Sequence, residues 1–345
     1  MNKTLRIAAV ATTAGVLALT GCSSDSGDGD NVTVVGYSVL ESANENLFKA
    51  FQDTDAGKDV TFDGPSYGAS GEQSRGVADG QKADLVHFSL EPDMSRLVDA
   101  GLVADDWKDN ETKGICTQSV VVMVVKPGNP KGIEGWDDLV RDDVSIVTPN
   151  PASSGSAKWN LLAAYGDEIA QGGTEEEAKA YMEKFFDNVA ALPDSGRDAT
   201  TAFTSGTGDV LLSYENEAIL ARQNGTDFDY VVPDTTLLIE NPCAVTEDAE
   251  NPDAANAFLD FQKSTEGQTL YAETGFRPLP SAGVTDVTVK GANDEADPFP
   301  EPTTLLTIDD DFNGWDEAND LYFGDGEDGK PLGILTEIQA QFGQG

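Results

Sequence analysis

The chain has 345 residues, 39% hydrophobic and 8% aromatic, enough to bury a sizeable core and too apolar for wholesale disorder. Its 21 Lys and Arg stand against 62 Asp and Glu, a formal net charge of −41. That balance excludes the basic face a nucleic-acid binder needs to displace counterions, and it excludes electrostatic docking on anionic lipid.

In chain order, Lys3 and Arg6 precede an apolar run from Ile7 to Leu19. The run is too short to span a bilayer, which takes about 20 residues, and it fits the core of a secretory signal over residues 1–21. Leu19-Thr20-Gly21-Cys22 resembles the bacterial lipobox, at which a lipoprotein signal is cleaved and the cysteine acylated. Cys22 is therefore the expected lipidation site. Residues 22–31 form a polar tether, and the chain is expected to be exported and held by lipid at the outer face of the cytoplasmic membrane.

Beyond the tether, Val32–Tyr37 reads as a buried strand. Leu47, Phe48 and Phe51 then mark the apolar face of a helix over 45–52. Further strands are predicted at 60–62, 85–88, 120–125 and 144–147, then at 210–214 and 230–232. A helix is predicted over 157–165. A capping box of Thr174 and Glu177 opens another, with Ala178, Tyr181, Met182, Phe185 and Phe186 as one apolar stripe. Asn251-Pro252 reads as the start of a helix that carries Ala257, Phe258 and Phe261 into a core. Strands alternating with helices indicate α/β architecture.

With Cys22 set aside, Cys116 and Cys243 remain. In an oxidising compartment they predict one disulfide, two buried thiols being the alternative. The single histidine, His87, lies in an apolar strand and is expected to be packed and hydrogen-bonded. Without spare His or Cys ligands, a zinc site is not expected, and no cofactor is.

The informative chemistry lies in three polar loops between strands and helices: Tyr67 to Gln73, Asn150 to Ala157, and Asp194 to Thr201. Each places Gly and Ser where the first amides of a helix point outward. Such amides, with the positive end of the helix dipole, bind an anion without any lysine. In α/β sheets these loops gather at the carboxyl ends of strands, where ligands bind. Asp194 is expected to cap the third loop and Asp198 to face solvent, although either is close enough to accept a proton from a ligand. Arg197, the one basic residue of the three loops, either braces the site or pairs with a neighbouring Asp. Glu215 and Glu217 fit the acidic first turn of a helix better than a catalytic pair. The nucleophile-elbow, phosphate-loop, zinc-protease and dinucleotide-binding motifs are all missing from the sequence, so an enzyme is not expected.

Several runs resemble the bacterial sulfate-binding protein family. They are Ser70-Gly71-Glu72-Gln73, Val147 to Gly155 (VTPNPASSG), Ala157 to Gly166, Gly208 to Leu211 and Tyr214 to Ala218 (YENEA), then Phe276-Arg277-Pro278, Thr307-Ile308-Asp309 and Phe312 to Trp315. They occur in the family's order between about Val32 and Asn319. The resemblance implies a type II, periplasmic-binding-protein-like clamshell of two lobes, each a mixed sheet flanked by helices. One lobe is expected from 32–118 plus 246–345, the other from 119–245. It further implies a monomeric receptor that delivers sulfate, or thiosulfate, to the permease and ATPase subunits of an ABC importer. Carried over, Ser70 contributes from the first lobe. Ser154, Gly155 and Ser156 form a helix-start cradle, and Gly196 or Arg197 supplies an amide. Tyr214 stands where the family often has a Trp, and Ser38 uses its amide. A receptor for phosphate or molybdate, or a surface lipoprotein without a transport role, is the alternative.

Overall fold

The computed structural model describes residues 30–326 and 329–343. The predicted signal and Cys22 lie outside the described residues. The chain runs β1 (Asp30–Asn31), β2 (Val34–Tyr37), α1 (Glu41–Gln52), β3 (Val60–Thr61), β4 (Ser66–Gly68), α2 (Ser70–Ala78), β5 (Leu85–His87), α3 (Glu91–Asp99) and β6 (Ile115–Val125). It continues as β7 (Ile146–Val147), α4 (Gly155–Ala170), α5 (Glu175–Asp187), β8 (Val189–Ala191), α6 (Gly196–Thr204), β9 (Val210–Tyr214), α7 (Glu215–Gln223), β10 (Asp229–Val231) and β11 (Thr235–Val245). Then follow α8 (Pro252–Lys263), α9 (Thr265–Glu273), β12 (Thr304–Leu306), α10 (Ile308–Asp311), α11 (Trp315–Phe323) and α12 (Ile334–Gln341).

Ten strands make one mixed sheet in the order β4-β2-β5-β11-β6-β9-β7-β8, with β10 added to β6 and β12 to β11. The strands β2, β4 and β5 pair in parallel at one end, and β7, β8 and β9 at the other. Antiparallel β6 and β11 join the two halves: β11 pairs with β5 through Cys243–Val245, and β6 with β9 through Val121–Val125. The result is a two-lobed α/β fold of the type II periplasmic-binding class.

The run Val120 to Val125 shows why β6 is continuously apolar. Val121, Met123 and Val125 enter the largest core, whereas the alternate residues Val120, Val122 and Val124 enter a second one. A strand covered on both faces needs apolar side chains at both phases of its two-residue period. A third core joins Val35, Val86 and Phe88 to Val77, Met94 and Leu97 of α2 and α3. The predicted stripe of α5 is buried throughout, behind a complete Thr174–Glu177 capping box.

Element boundaries differ from expectation where polar residues break the pattern. The β6 strand starts at Ile115, and β11 runs from Thr235 to Val245 although Glu240, Asn241 and Pro242 interrupt its apolar pattern. Pro242 sits at a register shift between β11 and β6, where a missing N–H is tolerated. Tyr67-Gly68, expected in a loop, belongs to β4, and α2 begins at once with Ser70. Asn251 does not cap α8 through its side chain but donates to the carbonyl of Asn31. The sulfurs of Cys116 and Cys243 are joined, with Cα atoms 5.9 Å apart, linking β6 to β11. Past residue 304 the chain returns along the other half of the sheet: β12 pairs with Thr235–Leu237, and Trp315 packs edge-on against Trp159 of α4 at 4.7 Å.

Candidate functional site

The three glycine- and serine-rich loops lead into α2, α4 and α6, which begin at Ser70, Gly155 and Gly196. The starts of α2 and α4 meet at Ser89, a residue just beyond β5, and the start of α6 lies against Ser156 of α4. The Ser89 amide donates to Ser70 Oγ at 2.9 Å, and its hydroxyl shares a 2.7 Å hydrogen bond with the Tyr214 phenol at the end of β9. A Cβ placed on Gly155 would lie 2.6 Å from Ser89 Oγ, so only glycine admits this approach of α4. Likewise a Cβ on Gly71 would lie 3.2 Å from the Ser153 carbonyl, and one on Gly196 3.1 Å from Ser156 Oγ. Ser70, Ser154, Gly155, Ser156, Gly196 and Tyr214 thus line one locus.

Their hydrogen-bonding states differ. Ser154 occupies the N-cap position of α4 in extended conformation, buried, yet its hydroxyl makes no cap bond. Serine at that position normally accepts from the N2 or N3 amide. Ser195, the N-cap of α6 in the third loop, does so: it accepts from the Asp198 amide at 3.1 Å and donates to the Asp198 carboxylate at 2.7 Å. Ser195, not Asp194, is therefore the cap of the third loop. Asp194 is exposed and only its carbonyl is used, accepting from Ser153 Oγ at 2.9 Å.

The Ser70 hydroxyl is already committed. Its Oγ donates to Asp93 Oδ2 at 2.6 Å, leaving the first amides of α2 as the donors of this lobe. Arg197 pairs with neither neighbouring Asp. Its guanidinium reaches across to Glu41 and to the Ser38 carbonyl at 2.6 Å, tying the start of α6 to the turn after β2. Ser38 accordingly presents its carbonyl to Arg197. Beside this contact lies a cavity of about 200 Å³, bordered by Val39 and Ser42 on one side and by Arg197, Thr200 and Glu217 on the other.

The acidic first turn of α7 is buried rather than solvated. Glu215 makes a two-pronged ion pair with Arg277 at 2.6 and 3.1 Å, and Glu217 accepts from Ser213 Oγ at 2.8 Å. Burial raises both carboxyls above their ordinary range, with Arg277 opposing the rise at Glu215 and Ser213 at Glu217. Burial also raises the Tyr214 phenol, so it stays neutral and keeps its proton. Behind Tyr214, Asn241 Oδ1 accepts from Tyr37 at 2.9 Å and from Thr117 at 3.1 Å, and Thr117 contacts His87 Nε2 at 3.2 Å. Burial lowers His87 to about 3, so it is a neutral, packed imidazole. Ser89 and Asp93 escaped the sequence reading. The signal for them was a Ser directly after the Leu85–Phe88 strand and just before Glu91-Pro92, a strand-to-helix junction without glycine. Among the described residues, no group of three or more His, Cys, Asp or Glu is placed to hold a metal ion.

The locus is thus bordered by the starts of α2, α4 and α6, which come from both halves of the sheet. Residues 32–277 match the family described as bacterial extracellular solute-binding protein. The chain is 40% identical to a sulfate-binding protein of Synechococcus elongatus over 337 residues, 93% of each chain. The chain belongs to the bacterial sulfate-binding protein family. A thiosulfate-binding protein of Pseudomonas aeruginosa is 33% identical, over 85% of this chain and 89% of that one. The solved structure of the sulfate-binding protein SubI from Mycobacterium tuberculosis H37Rv superposes with a TM-score of 0.78 at 45% identity, covering 84% of this chain and 98% of that one. The matching family model describes extracellular solute-binding proteins, and the matched residues 32–277 include the starts of α2, α4 and α6.

Proposed function

We propose that this chain is an exported lipoprotein that binds sulfate between its lobes and delivers it to the permease and ATPase subunits of an ABC importer, without catalysing a reaction. The uncapped Ser154 hydroxyl at the start of α4, next in the chain to the Gly155 that packs on Ser89, carries the proposal. Sulfate is a full dianion near neutrality and offers only acceptors; amides and hydroxyls are the matching donors. The amides of Ser70 and Gly71, those of Gly155 and Ser156, the Ser154 hydroxyl, one proton of the Ser89–Tyr214 pair and the Gly196 or Arg197 amide make up the proposed set. The surface charge of −41 is no obstacle. Salt screens it over about 8 Å, whereas the donors act at bonding distance.

Hydrogenphosphate would bring a proton that needs an acceptor, and an unmatched O–H costs about 1–3 kcal/mol. Of the carboxylates beside the locus, Asp93 is engaged by Ser70 and Arg96 and Glu217 by Ser213. The similarity to thiosulfate-binding relatives supports thiosulfate as a second cargo. Further parts of the proposal are a first lobe built on 32–118 and a second on 119–245, with the segment past 304 laid on the second rather than the first, as well as a monomeric state, a Cys116–Cys243 bridge in the mature protein, and lipid on Cys22. A calorimetric competition series with sulfate, thiosulfate, molybdate and phosphate at two pH values tests it. Tight one-to-one sulfate binding with phosphate far weaker is expected; no heat from any of the four would leave the surface-lipoprotein alternative.

A further inference from the structure

We infer that Asp93 is a positioning residue of the anion site: it takes the Ser70 proton and so holds the start of α2 against the loop after β5, leaving the Ser70 main chain, not its hydroxyl, to face the ligand. The inference rests on the sulfate-binding proposal above and adds to it a residue that never touches the anion.

Asp93 lies in the first turn of α3 and is buried. Its Oδ2 accepts from Ser70 Oγ at 2.6 Å and its Oδ1 from Arg96 Nη1 at 3.2 Å. The same Arg96 nitrogen donates to Ser74 Oγ at 2.8 Å, and Ser74 Oγ donates to the Asp93 carbonyl at 2.6 Å. Ser70 and Ser74, one turn apart on α2, are thus both fastened to the start of α3.

Proton direction follows from these bonds. A carboxylate only accepts, so the single Ser70 proton goes to Asp93. The Ser70 oxygen is then an acceptor, and it takes the Ser89 amide at 2.9 Å. The carbonyl of Ser89 is fixed in turn by Trp159 Nε1 at 2.9 Å and Asn241 Nδ2 at 2.8 Å. With its amide and carbonyl so held, Ser89 has its hydroxyl on Tyr214 and beside Gly155. An acid beside an anion site is electrostatically adverse, which is why its role is read in geometry: the charge is answered by Arg96.

The test is a double-mutant cycle on sulfate binding in the full mature chain, read by calorimetry together with thermal melting. Ser70→Ala and Asp93→Ala are each expected to weaken binding about tenfold, and the double variant no more than either alone, because both break one link. Asp93→Asn retains an oxygen that accepts the Ser70 proton and is expected to bind within twofold of the parent chain, or more tightly. Rescue by Asn with loss by Ala separates positioning from charge, and Asn also serves if the Ala variant fails to fold. Unchanged or tighter binding in Asp93→Ala, or additive losses in the double variant, would overturn the inference. Failure of the parent chain to bind sulfate would instead defeat the underlying proposal.

Discussion

Two kinds of helix start coexist in this molecule. In the scaffold, Thr174, Ser264 and Thr307 each turn a side-chain oxygen back onto the amide three residues on, as helix capping ordinarily requires. At the cleft, α2 follows Ala69, which cannot cap, and α4 follows Ser154, which could but does not. The start of α6 is intermediate: Ser195 caps the Asp198 amide while Gly196 stays bare of a side chain. Side-chain caps are not universal in the scaffold, Asn251 leaving α8 uncapped, but among the Ser and Thr residues at these starts only Ser154 withholds its oxygen from the helix it precedes. Uncharged donors held by a stiff frame suit a dianion, because their dipoles need no reorganisation when it arrives.

The contrast can be broken by substitution. Gly155→Ala is expected to be the most damaging, since its Cβ would overlap Ser89 Oγ and Leu90 Cδ2, at 2.6 and 2.8 Å. Overpacking of that order costs about 1–3 kcal/mol, and here it falls on the contact between the lobes, so sulfate affinity should drop about a hundredfold by calorimetry. Ser154→Ala comes next: loss of a bond to a charged group should weaken binding by about 1.5–3 kcal/mol, with little change in melting temperature because no cap is lost. Thr174→Ala should do the reverse, lowering stability by about 1 kcal/mol in denaturant titration with affinity untouched. Equal behaviour of these two variants would erase the distinction between cleft and scaffold. The smallest effect is expected from Arg197→Ala. Its partner Glu41 is half exposed, and such pairs contribute less than about 1 kcal/mol, so affinity should shift less than fivefold and the loss should shrink further in high salt.

Much of this was legible in the residues. The periodicity of α5, its capping box and the apolar β6 run needed only local rules, because each is decided by which face is buried. The Gly and Ser loops were legible for the same reason: glycine marks close approach, and Gly155 against Ser89 is such an approach. What stayed hidden depends on partners distant in sequence. Ser70 pairs with Asp93, Arg197 with Glu41, and Glu215 with Arg277, and none of these separations carries a local signature. Ser89 was hidden because a lone serine after a strand resembles any turn. The length of β11 was hidden by Glu240, Asn241 and Pro242, polar or strand-breaking residues placed where the strand runs between the lobes.

The central claim is that neutral donors at helix starts, not cations, hold the ligand. A crystal structure with selenate, located by its anomalous signal, tests it most directly. The account predicts one fully occupied selenate within hydrogen-bond distance of Ser154 Oγ and of the first amides of α2 and α4, with no Lys or Arg side chain in contact. A selenate bound instead to basic side chains, with the Ser154 hydroxyl turned away, would contradict it.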